Sequence, residues 1–309
     1  MKFKLSRRKR RKMSKLARRE EISGYLFISP WLIGFFIFTA GAVVVSLGLS
    51  FTKYEIVSPP IYIGAKNYIK AFTNDPLFWH SLLKVTLTYA VFSVPLQLVT
   101  GLVVALLMNQ KLPGIGIFRT LYYLPSVVPM VAMAMLWILM LDPQYGLINY
   151  FLSFIGIKGP AWLYDTKWAL SAFIIMRVWI VGSSMLMYLA GLQGIPTSFY
   201  EAADIDGANI WQKFWNITIP IISPIILLTL IMSIIASFQV FTLSYVMTEG
   251  GPGNATLFYV LLLYQNAFIN FKMGYASALA WILFIIILGL TILILKSSAS
   301  WVHYEGKTR

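Results

Sequence analysis

The sequence contains no cysteine and only two histidines, His80 and His303, far apart along 309 residues. Without thiols there is no disulfide framework, no thiolate metal site and no cysteine nucleophile. Two distant histidines are a poor start for a histidine-built metal centre. Charge is also scarce, at 12% of residues against 59% hydrophobic and a mean hydropathy of +0.75. A soluble globular chain is about 25% charged and roughly 45–50% apolar. The composition is that of a chain that lives in lipid.

Carboxylates are missing where they would matter most. Six apolar runs reach the roughly 20 residues that cross a hydrocarbon core: 25–50, 85–109, 117–141, 168–190, 218–247 and 275–295. None holds an Asp or Glu. Carriers driven by protons or sodium commonly place a carboxylate near the midplane, so that mode of coupling is disfavoured. There is no glycine-lysine phosphate loop either, and no nucleophile–base–acid set. The chain is therefore read as a non-enzyme, and any uphill transport must draw its energy from a partner. Two arginines fall within the runs, Arg119 at the edge of the third and Arg177 near the middle of the fourth, and Arg177 is the sharper of the two. It reads either as a polar contact to substrate or pathway water, or as a buried tie to backbone carbonyls or a partner. Proline recurs at 30, 95, 125, 129, 220 and 224, which suits bent helices around a pathway.

The positive charge is concentrated at one end. Eleven of the twenty-five Lys and Arg fall in residues 1–19 of a chain with net charge +14. An arm for nucleic acid would interleave aromatic platforms with the bases, and this run has none. It reads instead as a cytoplasmic retention signal beside a first crossing. The apolar run that follows is far longer than a signal-peptide core. The expected architecture is all-α and polytopic: a basic tail at 1–24, a membrane domain at 25–309, six crossings and both termini cytoplasmic. Trp79, His80 and Trp162 in outer segments read as interfacial anchors.

The polar segment 191–217 falls on the cytoplasmic side in this scheme. Pro196 ends the incoming helix, and Ser198 with Glu201 has the S-x-x-E spacing of a capping box. Gly207 supplies the positive φ at which a short helix stops. Asn209 with Gln212 repeats the cap, and Ile210, Phe214 and Ile217 share one face of a second short helix. The segment predicts a helix–turn–helix beneath the membrane. Glu201 has two readings, a helix cap or a charged contact with a partner protein.

Glu201-Ala202-Ala203, three residues, Gly207, nine residues and Ile217-Thr218-Ile219-Pro220 resemble the EAA signature of bacterial ABC importer permeases, E-A-A-x3-G-x9-I-x-L-P. Ile219 in place of Leu is the sole departure. The phrases GAKNYIKAF at 64–72, FRTLYYLPSVVP at 118–129, LAGLQGIP at 189–196 and EGGPGNAT at 249–256 are similar to the maltose-type carbohydrate subfamily. The resemblance implies a pair of six-helix permeases, two cytoplasmic ATPase subunits that hold ATP and Mg, and an extracytoplasmic sugar-binding protein. It implies no cofactor on this chain itself, and residence in the bacterial cell (inner) membrane. It places the coupling contact at Glu201, Ala202, Ala203, Asp206, Gly207, Ile217 and Pro220. The loop at 249–256 is expected to turn on the outer face, within reach of the binding protein. Candidates for a sugar pathway, by their aromatic faces and hydrogen-bonding groups, are Tyr122, Tyr123, Arg177, Ser233, Ser237, Gln239 and Tyr245. The competing readings are a permease for glycerol phosphate, an ion-coupled secondary carrier and a membrane-anchored scaffold.

Overall fold

The computed structural model describes residues 14–303. Most of the basic tail, and the extreme C-terminus, therefore lie outside the described residues. Five helices are long and apolar enough to cross a membrane: Arg18–Ser50, Pro76–Met108, Ala169–Gln193, Ile210–Met247 and Met273–Trp301. A bent pair, Ile115–Val127 and Met130–Met140, brings the crossings to six when counted as one. The one sheet among the described residues is a two-stranded hairpin, Thr52–Lys53 with Ile61–Tyr62.

The third crossing, expected over 117–141 with prolines at 125 and 129, is sharply bent. Its two halves meet at 101°. Pro129 cannot donate a backbone hydrogen bond, and its ring bars the preceding residue from helical geometry. Val128 accordingly adopts ψ 131°. The fourth crossing is interrupted as well, where Ile180 (φ −89°, ψ 60°) separates Ala169–Trp179 from Gly182–Gln193. The first helix begins at Lys15, so residues 15–24, assigned to the tail, are already helical.

Packing fixes which ends of the crossings lie together. Trp281 Nε1 donates to Ser46 Oγ at 3.2 Å, seating the first crossing against the sixth. Tyr188 and Thr229 share a hydrogen bond of 2.7 Å between the fourth and fifth. The His303 amide donates to Ser223 Oγ at 2.9 Å, so the end of the sixth crossing stands beside the start of the fifth. The described C-terminus thus lies at the same end of the bundle as residues 197–220. Val104, Met185, Tyr188, Leu192 and Ile222 form the apolar core there.

The opposite end is closed by the hairpin and by the short helices Lys66–Thr73 and Pro76–Trp79. Asn67 Nδ2 donates to the carbonyls of Ser50 and Thr52, and Tyr275 donates to Asp75 Oδ2 at 2.6 Å. Trp162 is buried there and donates to Asn149 Oδ1 at 2.7 Å. That corrects its reading as an interfacial anchor: the indole has a packed cage and an internal acceptor, so it does not need water. Residues 248–257 are tied by Thr248–Thr256 and Thr256–Gly251 hydrogen bonds, and the Asn254 carbonyl meets His80 Nε2 at 3.0 Å.

Candidate functional site

At the end of the bundle that carries the C-terminus, the chain leaves the fourth crossing and makes a separate helix, Thr197–Ile205. Pro196 (φ −60°, ψ 133°) stands at its N-cap, and no side chain caps it. The box expected from Ser198 and Glu201 is not formed. The extended proline starts the helix two residues early, so Ser198 is already helical and is not placed to receive the first amides. Glu201 is exposed and makes no ion pair among the described residues. It is free for another protein.

The other end of this helix is closed by its own backbone. The Ala208 amide donates to the Ala203 carbonyl at 2.9 Å and the Gly207 amide to Asp204 at 3.1 Å. These two bonds form a Schellman motif, which requires a left-handed residue between them. Gly207 is that residue, at φ +75°. A side chain at Gly207 would meet nothing within 4 Å, so the constraint there is conformational and not one of space.

The chain restarts with the capping box expected from the sequence. Asn209 accepts from the Gln212 amide at 2.9 Å, and Gln212 Oε1 accepts from the Asn209 amide at 2.8 Å. The second short helix is not separate, however. Ile210–Lys213 runs through a wide π-type turn at Phe214–Thr218 directly into Ile219–Phe238, with Pro220 in the first turn of that helix. Proline cannot donate to the preceding turn, and the wide π-type turn lies directly before it. The apolar face proposed for it divides: Phe214 and Ile217 are partly buried, whereas Ile210 is 82% exposed.

The segment is fastened to the bundle at three points. Lys213 pairs with Asp204 across the turn. Tyr200 and Thr218 share a hydrogen bond of 2.9 Å, and Ile217 joins the Tyr188–Leu192–Ile222 core. Ala202 is exposed and Ala203 half-buried. Asp206 and Gly207 form the turn, and Phe199, Ile205, Trp211 and Trp215 in the helices on either side of it are exposed. Exposed apolar side chains beside an acidic turn, next to a helix that continues into a crossing, leave a surface that another protein could cover.

The pathway candidates do not converge on one point. Tyr122 and Tyr123 lie where the first half of the third crossing presses on Gly182: a β-carbon there would be 2.8 Å from Tyr122 O and 2.9 Å from Tyr123 Cα. Tyr122 also lines a cavity of about 360 Å³ with Thr100, Pro125, Trp179 and Val181. Arg177 donates from Nε to Gln97 Oε1 at 2.8 Å. Ser233 and Ser237 are buried, and Ser237 bonds back to the Ile234 carbonyl. Gln239 is exposed at the far end of that helix, and Tyr245 stacks on Phe241 with centroids 5.4 Å apart. Gln97 was not singled out in the sequence. The signal was present, since Tyr89, Ser93 and Gln97 recur every fourth residue on one face.

A bundle of apolar crossings, two of them broken, with an exposed acidic turn rooted in a third, defines a membrane-embedded transport subunit. The chain belongs to the family described as "Binding-protein-dependent transport system inner membrane component", whose model matches residues 97–302. It is a permease component of such a system, a transport subunit and not an enzyme. It is 45% identical over 300 residues to "Probable ABC transporter permease protein YesP" of Bacillus subtilis (strain 168), covering 96% of each chain. It is 36% identical to "Trehalose/maltose transport system permease protein MalF" of Thermococcus litoralis, covering 92% of this chain and 96% of that one. Its fold matches a chain of a bacterial ABC transporter involved in import of the acidic polysaccharide alginate. The TM-score is 0.80 at 23% identity, over 93% of this chain and 99% of that one.

Proposed function

We propose that the chain forms half of the translocation pathway of an ATP-driven sugar or oligosaccharide importer. It pairs with a second homologous permease, and an extracytoplasmic sugar-binding protein delivers the substrate at the end carrying residues 249–256. Two cytoplasmic ATPase subunits, which hold ATP and Mg, dock at the opposite end. Both termini are then cytoplasmic, in a bacterial inner membrane. The sugar class is supported by the family and by likeness to a trehalose/maltose permease over most of both chains. The absence of Asp and Glu from the crossing helices after the first favours ATP as the energy source, because it leaves no carboxylate there for a driving proton.

The observation that carries the coupling reading is the closed turn at Gly207. The turn is stiff, being closed by backbone bonds, a capping box and the Lys213–Asp204 pair. It is also continuous with the fifth crossing. A push on residues 201–211 by a closing ATPase therefore moves that crossing as a lever. Coupling of this kind requires the docked contact to differ between nucleotide states, because equal affinity for both states shifts nothing. The uptake assay is direct. Proteoliposomes holding the assembled complex should accumulate oligosaccharide with ATP inside, and not with a proton or sodium gradient alone. Gradient-driven uptake without ATP would refute the reading.

A further inference from the structure

Arg177 carries a charge that the protein does not neutralise. It lies eight residues into the fourth crossing helix, about 12 Å along its axis. No Asp or Glu occurs in the helices 76–108, 115–127, 130–140, 169–193, 219–238 or 273–301. The ion pairs among the described residues are Lys53–Glu55 and Lys213–Asp204, both at the ends of the bundle. A guanidinium has five N–H donors and does not lose its proton. One donor is used, from Nε to Gln97 Oε1 at 2.8 Å. The terminal nitrogens have no acceptor among the described residues, and the side chain is only partly buried. The C-terminal end of helix Ala169–Trp179 supplies partial negative charge nearby. That is a fraction of one charge and does not satisfy the planar fork.

The surroundings are prepared for a polar guest. Gln97, Ser93 and Tyr89 face Arg177 from one side of the second crossing. Ser93 is fully buried on that face, beside Tyr89. Nearer the end of the bundle that carries residues 249–256, a cavity of about 640 Å³ is lined by His80, Lys84 and Lys167 and by no carboxylate. Its lining descends those two helices to Leu96 and Ile174, which lie next to Gln97 and one turn before Arg177. The approach and the interior thus carry the same sign.

We infer that the substrate bears an anionic group, a carboxylate such as that of a uronic acid unit, and that Arg177 receives it in the pathway with Gln97 holding the guanidinium. Arg and carboxylate match as a two-point fork. The fork becomes satisfied only when substrate is present, so the site discriminates against neutral sugars. This rests on the sugar-importer reading and narrows it.

The test is equilibrium binding to the assembled permease–ATPase complex, without the delivery protein, of two trisaccharides. One is built of uronic acid units, and the other is its neutral counterpart with the same linkages. Wild type should bind the acidic sugar at least about tenfold more tightly, the size of one charge-assisted hydrogen bond. Arg177→Gln should bring the two affinities within about twofold, and Arg177→Lys should retain part of the preference. Assembly of each variant is checked by the yield of complex. Equal binding of both sugars by wild type overturns the inference, as does a preference that survives Arg177→Gln or an equal loss of both sugars. Binding of neither sugar also overturns it. The importer reading itself stands or falls separately, on ATP-driven uptake.

Discussion

Gly207→Val should uncouple the transporter without preventing its insertion. At φ +75° a β-branched residue is strained by about 1–2 kcal/mol or more. The Schellman bonds from Gly207 and Ala208 have to break or distort to relieve it. The helix Thr197–Ile205 then loses its fixed angle to Ile210–Lys213, and the acidic tip no longer presents one surface. Sugar-stimulated ATP hydrolysis in proteoliposomes should fall about tenfold or more, with a smaller loss of assembled complex. The crossings and their flanking charges are untouched, so membrane content should match wild type. Glu201→Gln is the companion variant. Glu201 makes no cap and no ion pair among the described residues, so its removal should leave the turn intact. Loss of ATPase association in Glu201→Gln therefore reports a contact with the partner, whereas normal association restricts the contact to the exposed apolar side chains and the backbone of the turn.

Gly182→Ala should have the second largest effect, and by a different route. Its added carbon would lie 2.5 Å from Ser126 Oγ, 2.8 Å from Tyr122 O and 2.9 Å from Tyr123 Cα. The serine can rotate, but the two backbone atoms cannot give way without moving the first half of the third crossing. Overpacking of this kind costs about 1–3 kcal/mol. The thermal midpoint in detergent should fall, and uptake should fall with it, because the displaced helix carries Tyr122 and Tyr123. Gly116→Ala is the control in the same helix. Nothing lies within 4 Å of its β-carbon, and alanine is the better helix former. It should be neutral or slightly stabilising.

The parts of the molecule legible in sequence were those determined locally. Gly207 and the Asn209–Gln212 box depend on neighbours within six residues, and both occur as the spacing predicts. Apolar runs marked the crossings because lipid leaves few alternatives to a helix. Expectations failed where one backbone preference competed with another. Ser198 lost the capping position because Pro196 starts the helix two residues earlier. The second short helix merged with the fifth crossing because no breaker lies between Lys213 and Ile219. Pro129 was noted as a bend, but its 101° angle depends on how the two halves pack. Gln97 went unnoticed because its importance comes from Arg177, eighty residues away. The Gly182 contact is likewise long-range, and one glycine in an apolar run does not announce which backbone it admits.

In the proposed importer, the turn at residues 201–211 is where the ATPase meets the membrane subunit and moves it. The chain has no native cysteine, and Ile205 is 87% exposed beside the tip. Ile205→Cys can therefore carry a single short photo-cross-linker in the assembled transporter. Cross-linking to the ATPase should be efficient and should change in yield or in the ATPase residue captured between nucleotide-free and ATP-bound states. A transporter that still imports sugar while Ile205→Cys captures no ATPase, or captures the same residue equally in both states, would contradict it.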